Sequence, residues 1–260
     1  MVPEPVLETE GILSLLDTLR SSIQQERRCL RDEREAFDDF RSRLESIEPT
    51  KPDHAAGVTQ PLQVERTVGL DSVRNAYEST VMSVPHYDAE YGDTYEQSVT
   101  EEFGPEVGLL LTEGNCFDQR LKTALREKIR QCRRERDQFL QTLEIEADSV
   151  GAVENRLRPI TDELRTFSPE CSGTESYGAL EAEWNRLRLL ATKVDRIAGD
   201  RQTAIKRQRD VFNLTPEAPD IPTYLYLDFE DNYPLLSALV DIQRTIEAYQ
   251  SEREYALSER

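Results

Sequence analysis

The stretch Thr9–Ile47 reads TEGILSLLDTLRSSIQQERRCLRDEREAFDDFRSRLESI, and its apolar residues recur at alternating spacings of three and four. Residues three and four apart share one face of an α-helix, so the stretch predicts one long helix with a narrow apolar seam. Such a seam requires a partner helix to cover it. The residues at the first heptad position are Leu16, Ile23, Leu30, Phe37 and Leu44, and those at the second are Ile12, Leu19, Glu26, Glu33, Phe40 and Ile47.

Two acidic residues, Glu26 and Glu33, interrupt the second position of this seam. In a symmetric parallel dimer each carboxylate would be buried near its own copy, which is costly unless an opposite charge is present. We therefore expect an antiparallel partner within the same chain that places arginines opposite these residues. The arginine-rich stretches 120–136 and 201–209 are the candidates, and homodimerisation is secondary.

The rest of the chain repeats helical periodicity between loops that contain proline or glycine, residues that end helices. We predict an all-α fold, an elongated antiparallel helical bundle or coiled-coil rod with a small helical cap. The predicted helices after the first are Val68–Val84, Tyr95–Phe103, Pro105–Leu111, Phe117–Phe167, Thr174–Phe212 and Tyr233–Leu257.

Single residues and loops predict further details of the fold. Gly151 and Pro159 predict a kink or short break near Arg158, and the stretch 224–229 fits either a short strand or one helical turn. We predict four parts: a long N-terminal heptad helix at 1–48, a linker at 49–66, a small helical cap at 67–115, and long helices that complete the bundle at 116–260.

The composition is strongly acidic, with a net charge of −19 over 260 residues and 27 arginines against 5 lysines. This charge opposes unassisted binding to nucleic acid or to an anionic membrane surface. Together with the scarcity of lysine, it favours a protein that works in concentrated salt, which screens self-repulsion. An ordinary acidic protein from a high-GC genome is the alternative.

No segment resembles an export signal or a membrane span. The N-terminus is acidic, and no apolar run approaches the roughly 20 residues that a transmembrane helix needs. The four cysteines are widely spaced and lack histidines at zinc-ligand spacing. We therefore expect a cytoplasmic protein with reduced thiols.

Candidate catalytic residues are few, because His54 and His86 are the only histidines and no phosphate loop, nucleophile elbow or zinc-protease motif occurs. His86 lies beside Tyr87, Asp88 and Glu90, which could form a metal or proton-transfer site. One histidine with local carboxylates is weak support for such a site, and we favour an exposed or loop-anchoring His86. We expect no enzyme activity, no cofactor, no metal and no small-molecule substrate.

One stretch departs from the acidic background. Helical spacing places Arg126, Arg130 and Arg133 or Arg134 on one face, which could contact phosphate, nucleic acid or an acidic partner. We favour the alternative that these cations pair with carboxylates of other helices. The eight basic residues, called the basic run below, are Arg120, Lys122, Arg126, Lys128, Arg130, Arg133, Arg134 and Arg136. The carboxylates considered are Glu26, Asp32, Glu33 and Glu35.

Tyr87, Tyr91 and Tyr95 form a second candidate interaction site, because they recur every four residues, which is a helical spacing. Core packing against the long helices is the interpretation that we favour for them. A partner-binding face is the alternative, since tyrosine is enriched at the energetic centres of protein interfaces.

Four stretches of the chain are distinctive as strings: VRNAYESTVMSVPHY from Val73, EFGPEV from Glu102, YLYL from Tyr224 and YPLL from Tyr233. They resemble a family of proteins from halophilic archaea, the domain-of-unknown-function family numbered seven-two-six-zero. The resemblance extends from about Arg27 to Arg253. It implies a halophilic, helical, cytoplasmic protein, and it transfers no catalytic residue.

Two functions remain open at this stage. The first is a non-enzymatic helical scaffold or protein-interaction protein, acting through helix pairing within the chain or with a protein partner. The second is a regulatory or sensory accessory whose basic run contacts a nucleic acid or a signalling partner. The net charge makes nucleic acid the less favourable partner, and we expect no membrane contact.

Overall fold

The computed structural model of the protein describes residues 5–50, 62–171, 173–211 and 219–259. Within these ranges the chain forms helices and no strands, so the predicted all-α class is confirmed. None of the described helices is both long and apolar enough to cross a membrane. The α-helices are α1 Pro5–Ser46, α2 Leu62–Glu78, α3 Tyr87–Glu90, α4 Tyr95–Phe103, α5 Pro105–Thr112, α6 Gln119–Leu164, α7 Tyr177–Val211, α8 Ile221–Leu225 and α9 Pro234–Ser258.

The chain divides into two compact units. The central unit is Glu26–Gln141, and the terminal unit combines Met1–Gln25 with Thr142–Arg260. The helices α1 and α6 each contribute residues to both units. The four-part division expected from the sequence stays a prediction.

The heptad seam of α1 forms as predicted. All residues at its first heptad position are buried, and Glu33 at the second position is buried with them. In the central unit α6 covers this seam in the antiparallel direction, because Arg126 binds Glu45 while Arg136, further along α6, binds Glu33, which lies earlier in α1. The expected intramolecular antiparallel partner of this part of α1 is therefore present.

The core of the central unit is rich in aromatic side chains. The ring of Tyr77 lies 5.2 Å from that of Phe40 and 5.6 Å from that of Phe103, both edge to face. Such geometry places the positive edge of one ring against the negative face of the next. The Tyr77 hydroxyl shares a hydrogen bond of 2.8 Å with Ser98, so its polar end is satisfied inside the core.

The α4–α5 hairpin is specified by local sequence. Thr94 caps α4, and its side chain and that of Gln97 form a reciprocal capping box. Gly104 has a φ of 84°, which few other residues adopt, and Pro105 then starts α5 at a position where its missing N–H costs nothing. A Cβ added at Gly108 would lie 2.7 Å from Thr100 Oγ1, so glycine permits close packing of the two helices.

The structure refines three predictions about where helices begin, end or break. The helix predicted to reach Val84 ends at Glu78, and a 3-10 helix follows at Val81–Ser83. Thr80 accounts for this end, because its Oγ1 donates to the carbonyl of Ala76 at 2.7 Å and competes with helical geometry. Of the kink or short break predicted near Arg158, the kink stays a prediction, whereas the break is wrong, because α6 continues through Pro159. Its neighbours Leu157 and Ile160 are buried, so packing outweighs the local preference of proline. The stretch that could have been a strand or a helical turn contains the end of helix α8.

The terminal unit packs α7 against α9 in antiparallel directions, and Trp184 near the start of α7 donates to Glu254 near the end of α9. Its core also contains a buried ion pair between Glu146 and Arg201. The Glu146 carboxylate accepts further hydrogen bonds from Gln208 at 3.1 Å and Tyr226 at 2.9 Å. A buried carboxylate with this many donors is satisfied without water.

Candidate functional site

Glu33 is the buried acidic residue of the α1 seam, and three side chains converge on it. Its Oε2 accepts a hydrogen bond from Arg136 Nε at 3.0 Å, and its Oε1 accepts one from the Tyr91 hydroxyl at 2.8 Å. His86 Nε2 lies 3.1 Å from the same Oε1. The arginine expected opposite Glu33 is therefore present, and it belongs to the basic run.

Arg136 joins Glu33 to a second carboxylate, that of Glu102 on α4. Its two terminal N–H groups donate to Glu102 at 2.9 and 2.5 Å, and the guanidinium lies 4.9 Å from the ring centre of Phe37. Burial disfavours the charge, but Glu102 and Glu33 outweigh burial and raise the pKa of Arg136. A planar, permanently charged guanidinium can hold two carboxylates at once, which an ammonium group does less well.

His86 anchors its loop to α1 through Glu33, which is the loop-anchoring role that we favoured for it. The neighbouring Asp88 and Glu90 are exposed and Tyr87 is buried, so these residues do not converge with His86 as a ligand set. In the ranges described, no group of three or more histidine, cysteine, aspartate or glutamate side chains is placed to hold a metal ion.

A cavity of about 210 Å³ adjoins this network within the central unit, and we call it the acidic cavity. Phe37, Val81 and Val84 form its apolar side. Ser98, Tyr87, Tyr91 and Arg136 also line it. The carboxylates that line it are Glu33, Asp93, Glu101 and Glu102. Four carboxylates against one guanidinium leave the lining with a net negative charge.

Members of the basic run bind acidic residues of α1. Arg126 donates to Glu45 with its Nε at 2.8 Å, and Arg133 pairs with Asp38 at 3.0 Å. Internal pairing, the interpretation that we favoured, therefore holds for both arginines. Their partners are Glu45 and Asp38, which lie nearer the C-terminal end of α1 than all four carboxylates considered from the sequence.

The other two arginines of the predicted face are more exposed, and both pair with Glu127 on their own helix. Arg130 lies 2.8 Å and Arg134 lies 3.4 Å from this carboxylate. Exposed pairs of this kind contribute little to stability, because water and salt screen them. The face predicted from the sequence therefore exists on α6, with each of its four arginines beside a carboxylate.

The three tyrosines of the predicted face do not share one helix. Tyr87 opens α3, Tyr91 follows the end of α3, and Tyr95 opens α4. Gly92, with a φ of 61°, and Thr94, the cap of α4, separate them. Tyr87 and Tyr95 are buried, as the core-packing interpretation expects, whereas Tyr91 is half exposed at the acidic cavity.

Sequence reasoning missed the acidic cavity. Glu33 had a signal, since it is a charge at a core heptad position. Glu101 and Glu102 look like ordinary surface residues of a short helix, and Asp93 looks like one of many loop carboxylates. Their convergence depends on how the α4–α5 hairpin packs against α1 and α6, which spacing along the chain does not encode.

Comparisons with known proteins give one match. A family model described as Domain of unknown function (DUF7260) matches residues 14–250. No curated protein and no solved structure matches the chain.

Proposed function

The chain belongs to the DUF7260 family, and from the surface of this member we propose a non-enzymatic helical protein that works through protein–protein contacts. The observation that carries the proposal is a groove in the terminal unit. Its volume is about 310 Å³, and its apolar side is formed by Ile12, Leu15, Phe229, Pro234 and Ala238.

Acidic side chains border this groove. Glu230, Asp231 and Asp241 line it together with the apolar residues. An apolar centre with a charged rim is the common arrangement of a protein interface. The fitting partner presents an apolar side chain flanked by arginine or lysine, whose charges would complement the three carboxylates.

The exposed side chains of the segment 224–240 support the same interpretation. Leu227 is 67% exposed, and Tyr224, Tyr233 and Val240 are also large apolar residues with exposed side chains. Single exposed apolar residues are ordinary on proteins, but these four belong to the segment that also contributes Phe229 to the groove. Tyrosine in particular supplies large contact area at low conformational cost.

Site-specific photocrosslinking in the native cell tests the proposal. A photoreactive residue at Ser237, which lines the groove, should give a discrete crosslinked product. The same group at Ser251, which is exposed elsewhere on α9, is the matched control. Leu15→Asp, which places a charge in the apolar side, should remove the product. Equal labelling from both serines would contradict the proposal, and the mass of the product distinguishes a second copy from another protein.

A regulatory accessory that uses the basic run is the alternative function. The ion pairs of Arg126 and Arg133 with α1 leave less free positive charge than the sequence alone suggests. An electrophoretic shift assay with nucleic acid tests this alternative, with Arg126, Arg130 and Arg134 changed to alanine. If the unmodified protein shifts the nucleic-acid band and the variant does not, the result would support the regulatory function over the scaffold function.

We also infer a cytoplasmic protein of a halophilic archaeon. The net charge of −19 and the excess of arginine over lysine support concentrated salt as its medium. Thermal unfolding in increasing potassium chloride tests the inference, and a melting temperature that does not rise with salt would count against it.

A further inference from the structure

The groove of the terminal unit has a chemically matching surface on the same unit. Three carboxylates border its apolar side, so the side chain that fits it is apolar and lies between cations. Leu189 of α7, which is 52% exposed, meets this description. Arg186 precedes it by three residues and Lys193 follows it by four, spacings at which residues of a helix lie beside each other.

The two cations next to Leu189 are only partly engaged within the chain. Arg186 pairs with Glu163 of α6 and lowers the pKa of that carboxyl, and Lys193 acts on the same group from further away. Two cations thus share one carboxylate. This leaves net positive charge beside an exposed apolar side chain.

The positive face continues along α7 toward its C-terminal end. Arg196 lies seven residues after Leu189, which is two turns along the same face, and it has no ion pair with the residues that the structure describes. Asp200, one turn further on, is engaged by Arg156 of α6. The charge of Arg196 is therefore available to a partner, and we call Leu189, Lys193 and Arg196 the α7 face.

Among the large exposed apolar side chains of the described residues, Leu189 is the one with cations both three residues before and four residues after it. Leu109 of α5 shows the contrast, because Glu106 and Glu113 occupy these two positions around it. The acidic border of the groove would repel such a surface. The α7 face is therefore the exposed apolar surface of this chain that the groove favours.

We propose that the groove of the terminal unit binds the α7 face of a second copy of this chain. Leu189 of one copy enters the apolar side of the other copy's groove, and Lys193 and Arg196 meet its acidic border. The groove, with a volume of about 310 Å³, is large enough for a leucine side chain. The proposal rests on the function proposed above, because it names the partner of the same groove.

The net charge of the chain sets the condition under which this contact forms. Each copy carries a charge of −19, so two copies repel each other at low ionic strength. Concentrated salt screens this long-range repulsion, whereas oppositely charged groups at a partly buried contact are screened less. We therefore expect self-association to rise with the concentration of potassium chloride.

Sedimentation velocity of the purified full chain in potassium chloride tests self-association. We expect two copies if the contacts are exchanged reciprocally, or more if each contact is made with a different copy, and either size supports the proposal. Leu189→Asp should weaken association about tenfold or more, because a buried leucine is lost and the new charge meets carboxylates. Leu109→Asp, a similarly exposed leucine of the central unit, is the matched control and should leave association unchanged.

Charge reversal tests whether these two surfaces meet. A variant with Lys193→Glu and Arg196→Glu should not self-associate, and neither should a variant with Glu230→Lys and Asp231→Lys, because like charges would then face each other in both. An equimolar mixture of the two variants should associate, since each variant supplies the charge that the other's surface attracts.

The outcomes separate this proposal from the function on which it rests. It fails if the purified chain sediments as a monomer at every salt concentration, if Leu189→Asp has no more effect than Leu109→Asp, or if the mixed variants stay apart. If Ser237 crosslinks to a different protein in the native cell, the second copy is excluded and the proposed function stands. If the groove gives no crosslinked product in the cell or with the purified chain, both proposals are overturned.

Discussion

The carboxylate of Glu146 and the guanidinium of Arg201 are joined by two hydrogen bonds of 2.6 and 2.8 Å in the core of the terminal unit, and both side chains are buried almost completely. A buried ion pair is costly to form, because both charges lose water. Removing one partner is costlier still, since the other charge then remains in the core without compensation.

Arg201→Met should therefore lower the free energy of unfolding by about 3–5 kcal/mol. The double variant Glu146→Leu with Arg201→Met should be less destabilised than Arg201→Met alone, because no charge is left unpaired. Urea unfolding followed by circular dichroism measures both. Arg196→Met, an exposed arginine of α7, is the control and should stay within about 0.5 kcal/mol of the unmodified protein. An Arg201→Met variant as stable as that control would contradict the prediction.

Glu33→Gln should destabilise the protein by about 1–3 kcal/mol, because it replaces a charged acceptor that Arg136 and Tyr91 use. Part of the pairing survives, since Arg136 keeps both hydrogen bonds to Glu102. Glu35→Gln is the matched control, an exposed glutamate of the same helix. Equal unfolding midpoints for the two variants would show that Glu33 contributes nothing beyond a surface carboxylate.

Replacement of two different glycines by alanine should change the free energy of unfolding in opposite directions. Gly108→Ala should destabilise by about 1–3 kcal/mol, because the new Cβ would lie 2.7 Å from Thr100 Oγ1 and 3.0 Å from its Cα. Gly151→Ala in α6 should stabilise by up to about 1 kcal/mol, since its Cβ meets nothing within 4 Å and alanine favours the helix. Thermal unfolding of both variants tests the pair, and shifts of the same sign would refute it.

The carboxylate of Asp220 should stabilise the protein by an amount that depends on pH in the acid range. Burial alone would raise its pKa, but hydrogen bonds from Tyr233 Oη at 2.7 Å and Thr223 N at 3.1 Å outweigh burial and lower it. When folding lowers the pKa of a carboxyl group, its contribution to the stability of the protein is fully present at pH values above the unfolded-state pKa of about 3.9. The contribution is lost as the pH falls through the folded-state pKa.

Asp220→Asn should therefore cost about 1 kcal/mol at neutral pH, where Asp220 also caps α8, and the cost should shrink below about pH 4. Urea unfolding across the acid range measures the difference. Asp228→Asn, an exposed residue nearby, corrects for the change in net charge. A difference between Asp220→Asn and the unmodified protein that stays constant down to low pH would exclude this mechanism.

Cys132 should resist alkylation in the folded protein. Burial raises the pKa of its thiol to about 12, and the thiolate is the reactive form. Its Sγ also lies 3.3 Å from the carbonyl oxygen of Glu102. Mass spectrometry after iodoacetamide treatment should find Cys116, which is only partly buried, modified before Cys132. Modification of Cys132 at the same rate without denaturant would contradict its burial.

Structure could be predicted best from the sequence where a single helical periodicity of apolar residues dominates. The α1 seam and the need for an arginine opposite Glu33 followed from heptad spacing alone, and Arg136 meets that need. Spacing did not place the three tyrosines on one helix face, because Gly92 and the Thr94 cap end one helical turn and start another between Tyr91 and Tyr95. The favoured core packing nevertheless holds for Tyr87 and Tyr95. At Pro159 the alternative of a helix break was wrong, because buried neighbours hold α6 continuous.

The candidate sites were least predictable. The acidic cavity combines Glu33, which is distinctive at a core heptad position, with Asp93 and Glu101, which resemble the many other carboxylates of an acidic chain. A chain with 51 acidic residues offers countless pairs, and only tertiary packing selects those that converge. The four arginines of the predicted face were identifiable by spacing, but the pairing of Arg126 and Arg133 with α1 depended on the axial alignment of two long helices.

Lys122 shows how unevenly this protein would tolerate substitution. Its buried ammonium donates to the carbonyl oxygens of Glu45 at 3.0 Å and Ile47 at 2.7 Å, where α1 ends. Because both acceptors belong to the backbone, positions 45 and 47 can change identity without losing these bonds, whereas position 122 cannot. In a chain that otherwise prefers arginine, this is a place where arginine is a poor replacement, since the site takes a compact cation that reaches two convergent oxygens. Substitution at position 122 should therefore remove both bonds, whereas substitution at position 45 or 47 acts only through other contacts, such as the pairing of Glu45 with Arg126.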